Sequence, residues 1–278
     1  MINRKSTLLS IIIPTKNRQY TCLYAIESAL LIHSDILEVV IQDCSDTDRL
    51  RDEIFRKFGN DSRIKYFYTD ASPSMTENWN CALTNATGKY ICVIGDDDAV
   101  LPACLDVTKW MDSNQIQALL GADVKYYWND AFTDSYINGR LSHNMYYSGD
   151  IFEVDTQKEF INKVINCGFG FSEDLTNLYH GIVEKEQLEI HKNNCGNYLS
   201  GTSVDVYNAM VLPSYINRSY YLDYPLTVKG ASVSSRSEER RVGKECVDRC
   251  RSRWSPSSAS PTSTSSDPAR RNSRAASP

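Results

Sequence analysis

The chain has 278 residues, 41% of them apolar and 23% charged, enough for a substantial hydrophobic core. Its net charge of −5 conceals an asymmetry: of 30 Lys/Arg and 35 Asp/Glu, ten and five lie in residues 236–278, leaving the first 235 residues with 20 basic and 30 acidic side chains. An acidic body argues against a nucleic-acid partner, whose counterions only a basic surface displaces.

Apolar runs such as Leu8 to Ile13 and Val39 to Ile41 are far shorter than the ~20 residues that a spanning helix needs. No secretory signal pattern opens the chain, so a cytoplasmic protein without a transmembrane segment is expected, and peripheral membrane association stays open. Seven cysteines are scattered through the body without metal-ligand spacing, which predicts reduced and mostly buried thiols.

In chain order, the first hundred residues alternate short apolar runs with helical periods, the pattern of a sheet with crossover helices. Leu8 to Ile13 predicts a strand, and Tyr20 to Leu31 a helix with Leu23, Ile26 and Leu30 on one face. Leu37 to Ile41 predicts a second strand, after which Asp48 caps a helix that ends at Gly59. Ile64 to Tyr68 is a third strand. Ser74 and Glu77 form a capping-box pattern before a helix closed by Gly88. Tyr90 to Ile94 is a fourth strand, and it runs into Gly95, Asp96, Asp97 and Asp98. Pro102 opens a helix through Met111, Ala122 to Trp128 is a strand, Asn129 to Asp155 lacks a firm period, and Thr156 to Asn166 is helical. Residues 168–216 mix Gly, Asn and apolar residues in short pieces, in the manner of a substrate-covering region.

Beyond Ser235 the chain turns to charge and then to Ser, Pro, Ala, Thr and Arg, a composition that cannot bury a core and is expected to be disordered. Arg236 to Cys246, with Arg251 to Pro256, also resembles translated sequencing-adaptor DNA, which implies that the natural C-terminus is missing; a natural basic tail is the other reading.

The three aspartates stand where open α/β sheets bind ligands, at a strand's carboxyl end. Crowded carboxylates repel one another, and a cation between them relieves this. A solvated acidic turn before Pro102 is the plainer alternative. The sequence around them adds context. Ser10 to Arg18 (SIIIPTKNR), Val39 to Asp48 (VVIQDCSDTD), Asn80 eight residues before Gly88-Lys89-Tyr90, and the aspartates ahead of Pro102 together resemble family 2 glycosyltransferases, in order, over roughly 95 residues.

That resemblance implies an α/β fold of GT-A type, a Rossmann-like mixed sheet flanked by helices. It implies a nucleotide-sugar-binding half over residues 1–110, an acceptor-binding half over 111–235 and a tail over 236–278. Pro14, Thr15, Asn17, Arg18 and Asn80 would line the nucleotide pocket, Asp43 would accept a hydrogen bond from the base, Asp96 would face the ribose, and Asp97, supported by Asp98, would hold Mg²⁺ or Mn²⁺. The pattern departs from the family's at Gly95, where the first Asp of Asp-x-Asp is usual, and at Gln42 and Cys44. The implied reaction is metal-dependent inverting transfer from a nucleotide-sugar, most often a UDP-sugar, to a saccharide or lipid-linked saccharide in polysaccharide biosynthesis. Inversion needs a base for the acceptor hydroxyl. Asp205, in a segment that resembles the family's Ser-Pro-Asp with Val204 for Pro, is one candidate, and the Glu173–Asp174 pair is the other, while His180 reads as structural. The alternative is a nucleotide-sugar-binding or scaffolding module without turnover. A dinucleotide-dependent oxidoreductase is disfavoured because no G-x-G-x-x-G follows any strand.

Overall fold

The computed structural model describes residues 6–129, 139–166 and 175–232. These belong to one compact unit, Met1–Val233, and the expectations for the tail and for Cys167, Glu173 and Asp174 lie outside the described residues.

Four βα units open the chain: β1 (Leu9–Thr15), α1 (Gln19–Leu30), β2 (Leu37–Asp43), α2 (Arg49–Phe58), β3 (Ile64–Tyr68), α3 (Met75–Asn85), β4 (Tyr90–Val93), a short β5 (Ala99–Val100) and α4 (Ala103–Asn114). There follow β6 (Ala118–Gly121), β7 (Val124–Tyr127), β8 (Arg140–His143), β9 (Ile151–Val154), α5 (Thr156–Ile165), β10 (Gly181–Glu184), α6 (Lys185–Cys195), α7 (Val204–Val211), β11 (Ser219–Leu222) and β12 (Thr227–Ala231).

The main sheet has the order β3-β2-β1-β4-β10-β6-β11-β9, and a smaller one runs β5-β12-β7-β8. β1 lies parallel to β2 and β4, with Leu9 opposite Leu37 and Tyr90, whereas β10 is antiparallel to both β4 and β6. The result is the mixed sheet flanked by helices expected of a GT-A fold.

The apolar runs are unbroken because both faces of the sheet are covered. Leu9, Ile11 and Ile13 pack with Cys22, Ile26 and Leu50 in one core cluster. Ile12 and Val40 face the other way, into a second cluster with Trp79, Leu83 and Leu188. Alternate residues of β1 therefore nail helices to opposite sides. Buried Glu38 is tolerated because Ser10 Oγ donates to it at 2.6 Å and Thr87 N at 2.6 Å.

The helix starts and stops follow local chemistry, with corrections. Ser74 and Glu77 do form a reciprocal capping box on α3. Asp48 occupies the N-cap position of α2 but its side chain makes no cap bond, pairing with Arg51 at 2.9 Å. Gly59, at φ +63°, ends α2 as expected. Gly88 does not close α3, which stops at Asn85 with extended Ala86 beyond it. Instead, a Cβ on Gly88 would meet Ser10 Oγ at 2.6 Å, so glycine there lets the chain come close to β1. The single strand expected over Ala122 to Trp128 is β7 alone, and β6 just before it belongs to the other sheet. The stretches without firm period hold β8, β9, α6 and α7. The described cysteines are all free, with Cys81 and Cys195 exposed and the others buried.

Candidate active site

The carboxyl ends of β1, β2 and β4 point to one edge, and the loops leaving them meet there. Thr15, the last residue of β1, donates its hydroxyl to Asp96 Oδ2 at 2.6 Å. Three residues on, Arg18 spreads its guanidinium over two carboxylates: Nη1 lies 2.7 Å from Asp96 Oδ1 and Nη2 lies 2.6 Å from Asp97 Oδ2. Ser232, just after β12, accepts from Arg18 Nη2 at 2.7 Å and donates to Asp97 Oδ2 at 2.8 Å.

The loop between β1 and α1 is shaped by Asn17, which sits at φ +57°, a region Asn enters more readily than most residues. Its backbone N–H donates to Ser45 Oγ at 2.7 Å, and its side-chain amide exchanges two bonds with Asp46, at 3.1 and 3.0 Å. Pro14 is buried in β1 opposite Gln42. Asp43, at the end of β2, is fully buried and accepts from Ser45 N at 2.8 Å and Tyr66 Oη at 2.8 Å. The β1 and β2 loops are thus tied into one wall beside the aspartates.

The three adjacent aspartates have different roles. Burial pushes Asp96 up to about 7, against the opposing pull of Arg18 and Thr15. Burial and then the neighbouring Asp98 raise Asp97 as well. Asp98 goes the other way: burial disfavours its charge, but His180 and the donors around it outweigh that and hold it below the usual range. Those donors are Tyr179 Oη at 2.8 Å and Gly95 N at 2.5 Å on Oδ2, and Gly230 N at 2.6 Å on Oδ1. His180 Nε2 stands 3.2 Å from Asp98 Oδ2, poorly aimed for a hydrogen bond. Burial would depress the Arg18 guanidinium, yet Asp96 and Asp97 hold it above its ordinary value.

These contacts decide which aspartates suit a hard cation. Among the described residues no group of three or more His, Cys, Asp or Glu side chains is placed to hold a metal ion by itself. Asp96 and Asp97 present oxygen donors that one guanidinium serves, and burial is the main cause that raises both carboxyls. Carboxylate oxygens of this kind are the donors that a hard divalent cation takes. Asp98, expected above to support the metal, has an inaccessible side chain engaged by Tyr179, Gly230 and Gly95. It braces the turn.

The other expected residues fall elsewhere. Asn80 does not reach the cluster: its amide donates to Thr76 O and Leu199 O, both at 2.9 Å, and accepts from Leu199 N at 3.0 Å, stitching α3 to the segment before α7. Asp205 lies in the first turn of α7, where Ser203 Oγ donates to it at 2.8 Å, and it has no direct contact with residues 96–98. Its carbonyl is 3.5 Å from Asn177 Nδ2, two residues before Tyr179. Sequence reasoning missed Tyr179, Gly230, Ser232 and Trp128, whose Nε1 donates to the Asp97 carbonyl at 2.9 Å. Gly230 carried a signal, for a lone glycine in a strand marks close approach of another backbone. A Cβ there would overlap the Asp97 carbonyl.

With this geometry in hand, comparison with known proteins gives the family. The model described as "Glycosyl transferase family 2" matches residues 10–172. The chain belongs to glycosyl transferase family 2. It is 25% identical over 194 residues to the GalNAc(5)-diNAcBac-PP-undecaprenol beta-1,3-glucosyltransferase of Campylobacter jejuni subsp. jejuni serotype O:2, covering 66% of this chain and 62% of that one. Its fold is similar to that of S. aureus TarS 1-349, with a TM-score of 0.59 and 19% identity over 81% of this chain and 60% of that one. The same protein in complex with UDP-GlcNAc gives a TM-score of 0.59 at 19% identity, over 81% of this chain and 59% of that one. The family chain described here thus spans about three fifths of the length of these relatives.

Proposed function

We propose that this family 2 glycosyltransferase moves a sugar from a nucleoside diphosphate donor, a UDP-sugar, to a saccharide or lipid-linked saccharide acceptor with inversion, in the building of a polysaccharide. The observation that carries this is the Arg18 fork on Asp96 and Asp97, set at the ends of β1 and β4 beside the Asn17–Asp43 wall. The S. aureus complexes with UDP-GlcNAc and with UDP support the donor class, and the name of the C. jejuni relative supports a lipid-linked acceptor.

In this reading the β1 and β2 loops bind the nucleoside, with Asp43 and Asn17 shaping the base and ribose side. Asp97, with Asp96 beside it, would hold Mg²⁺ or Mn²⁺, which when bound supplies positive charge for the leaving diphosphate. Arg18, which pairs with both aspartates, would add a fixed cation where charge develops on the leaving group. Asp205 takes the proton of the acceptor hydroxyl as that oxygen bonds to the anomeric carbon and the bond to the diphosphate breaks, and Asp174 is the competing base.

The test incubates the full chain with a panel of nucleotide sugars and Mn²⁺ and measures released nucleotide. Release that is metal-dependent and lost in Asp97→Ala supports the reading, and loss of transfer with retained donor binding in Asp205→Asn or in Asp174→Asn identifies the base. Donor binding without any turnover favours a binding module, and no binding of any nucleotide sugar overturns the proposal.

A further inference from the structure

A cleft of about 570 Å³ opens beside the aspartates, and it shares Asp97 and Asp98 with the cluster just described. Its volume falls within the range of about 300–1,000 Å³ found for small-molecule sites. It draws on α1, β5, β7, β8 and β12 and takes no residue from β1, β2 or β3, so it is separate from the wall that holds the nucleoside in the reading above.

Four aromatic rings line it: Tyr20 and Tyr24 from the first two turns of α1, Tyr126 from β7 and Trp128 just after it. They meet edge to face, with centroids 5.3 Å apart for Tyr20–Tyr24, 5.8 Å for Tyr24–Trp128 and 5.3 Å for Tyr126–Trp128. Core aromatics pack this way too, but two of these are open to solvent, Tyr20 at 67% and Tyr24 at 45% exposed, while Tyr126 and Trp128 are half-buried. The buried face of α1 is carried by Cys22, Ala25, Ile26, Ala29 and Leu30, so stability does not require rings at positions 20 and 24. Their placement is nonetheless firm. Trp128 is pinned by its bond to the Asp97 carbonyl at 2.9 Å, and Lys57 Nζ lies 4.7 Å from the Tyr24 centroid. Gly139, at φ +77°, leaves the space that Tyr126 fills.

Rings with polar tips around a floor holding Asp97 and Asn129 match a ligand that has apolar C–H faces and hydroxyl edges. We propose that this cleft is a saccharide subsite which holds a pyranose of the acceptor against Tyr24 and Trp128. The ligand's role as acceptor rests on the transferase reading above, whereas saccharide binding itself does not.

The experiment therefore reads the two sites separately. Saturation-transfer NMR titrates disaccharides of glucose, N-acetylglucosamine and N-acetylgalactosamine onto the full chain in the presence of UDP and Mn²⁺, and calorimetry measures UDP. We expect Tyr24→Ala to weaken the best disaccharide about tenfold, Tyr24→Phe to keep most of the affinity because the ring remains, and UDP binding to be equal in all three. Tyr24 is on a solvent-facing helix surface, and a melting curve confirms that each variant folds. Disaccharide affinity unmoved in both Tyr24→Ala and Trp128→Phe overturns the inference, as does a wild-type chain that binds UDP but none of the disaccharides. Saccharide bound through Tyr24 without UDP binding leaves the cleft standing and removes the donor reading instead. A chain that binds neither overturns both.

Discussion

Arg18 and Asp97 are joined by a 2.6 Å ion pair, and the same guanidinium spans to Asp96 at 2.7 Å. Both carboxylates are nearly inaccessible, with side chains 4% exposed. Removing one partner from such a group leaves charge buried without compensation, which costs about 3–5 kcal/mol. Arg18→Gln is expected to lower stability by about that amount in chelator. Mn²⁺ should restore part of the loss and raise the melting temperature of the variant more than that of the wild type, because Asp96 and Asp97 then lack their internal cation. Equal Mn²⁺ responses in a thermal melt would count against both aspartates as metal ligands.

The raised pKa of Asp96 makes stability depend on pH with a definite sign. A carboxyl whose folded pKa, about 7, exceeds its ordinary 3.8 binds more protons folded than unfolded between those values. Its contribution is fully present below pH 3.8 and is lost as pH rises through 7. Asp96→Asn cannot titrate, so in metal-free buffer the stability difference between variant and wild type should shift in favour of the variant over that window. Urea unfolding at a series of pH values measures it, and parallel curves would mean that Asp96 is ionised throughout.

Gly230 is expected to tolerate no side chain. Its N–H serves Asp98 at 2.6 Å, and an added Cβ would overlap the Asp97 backbone. Gly230→Ala should therefore destabilise by more than about 3 kcal/mol, in the range of strained or overpacked sites. If the variant folds at all, donor binding should weaken, because the turn carrying Asp97 must move. A melting temperature like that of wild type would show that β12 is not pressed against this turn.

Tyr179→Phe deletes the 2.8 Å bond to Asp98 and keeps the ring that packs against Trp79. The expected cost is about 1–3 kcal/mol, from one buried charged acceptor losing a donor. Chemical denaturation measures it. The pH dependence should also shift: Asp98 is held below the usual carboxylate range, so it stabilises the fold above its ordinary pKa and loses that effect as pH falls, and the loss should begin at higher pH in the variant.

The elements of the first hundred residues were legible because their signals are local. Ile64 to Tyr68 is a strand whose two ends match the sequence expectation, and Ser74 with Glu77 announces α3 through bonds made within four residues. The second half was obscure for a physical reason. β9 and β10 are four residues long and earn their place by pairing with β11, β4 and β6, far away in the chain. Four residues carry too little period to announce themselves. The aspartate triplet was visible as a cluster, but the division of labour within it was not, since it depends on Arg18, Tyr179, His180, Gly230 and Ser232, which only the fold brings together. The bond from Asn80 to Leu199, 119 residues away, was likewise invisible in the sequence.

β10 sits between β4 and β6 and runs against both. The halves on either side of residue 110 are consequently sewn through a common seam, and each supplies hydrogen-bond partners that the other cannot replace. A fragment ending after α4 would present Tyr90–Val93, fully buried in the intact protein, as a bare strand margin ready to recruit foreign chains. Testing the proposed donor and acceptor sites therefore calls for point substitutions, because cutting the polypeptide would unravel the sheet that carries the residues of both.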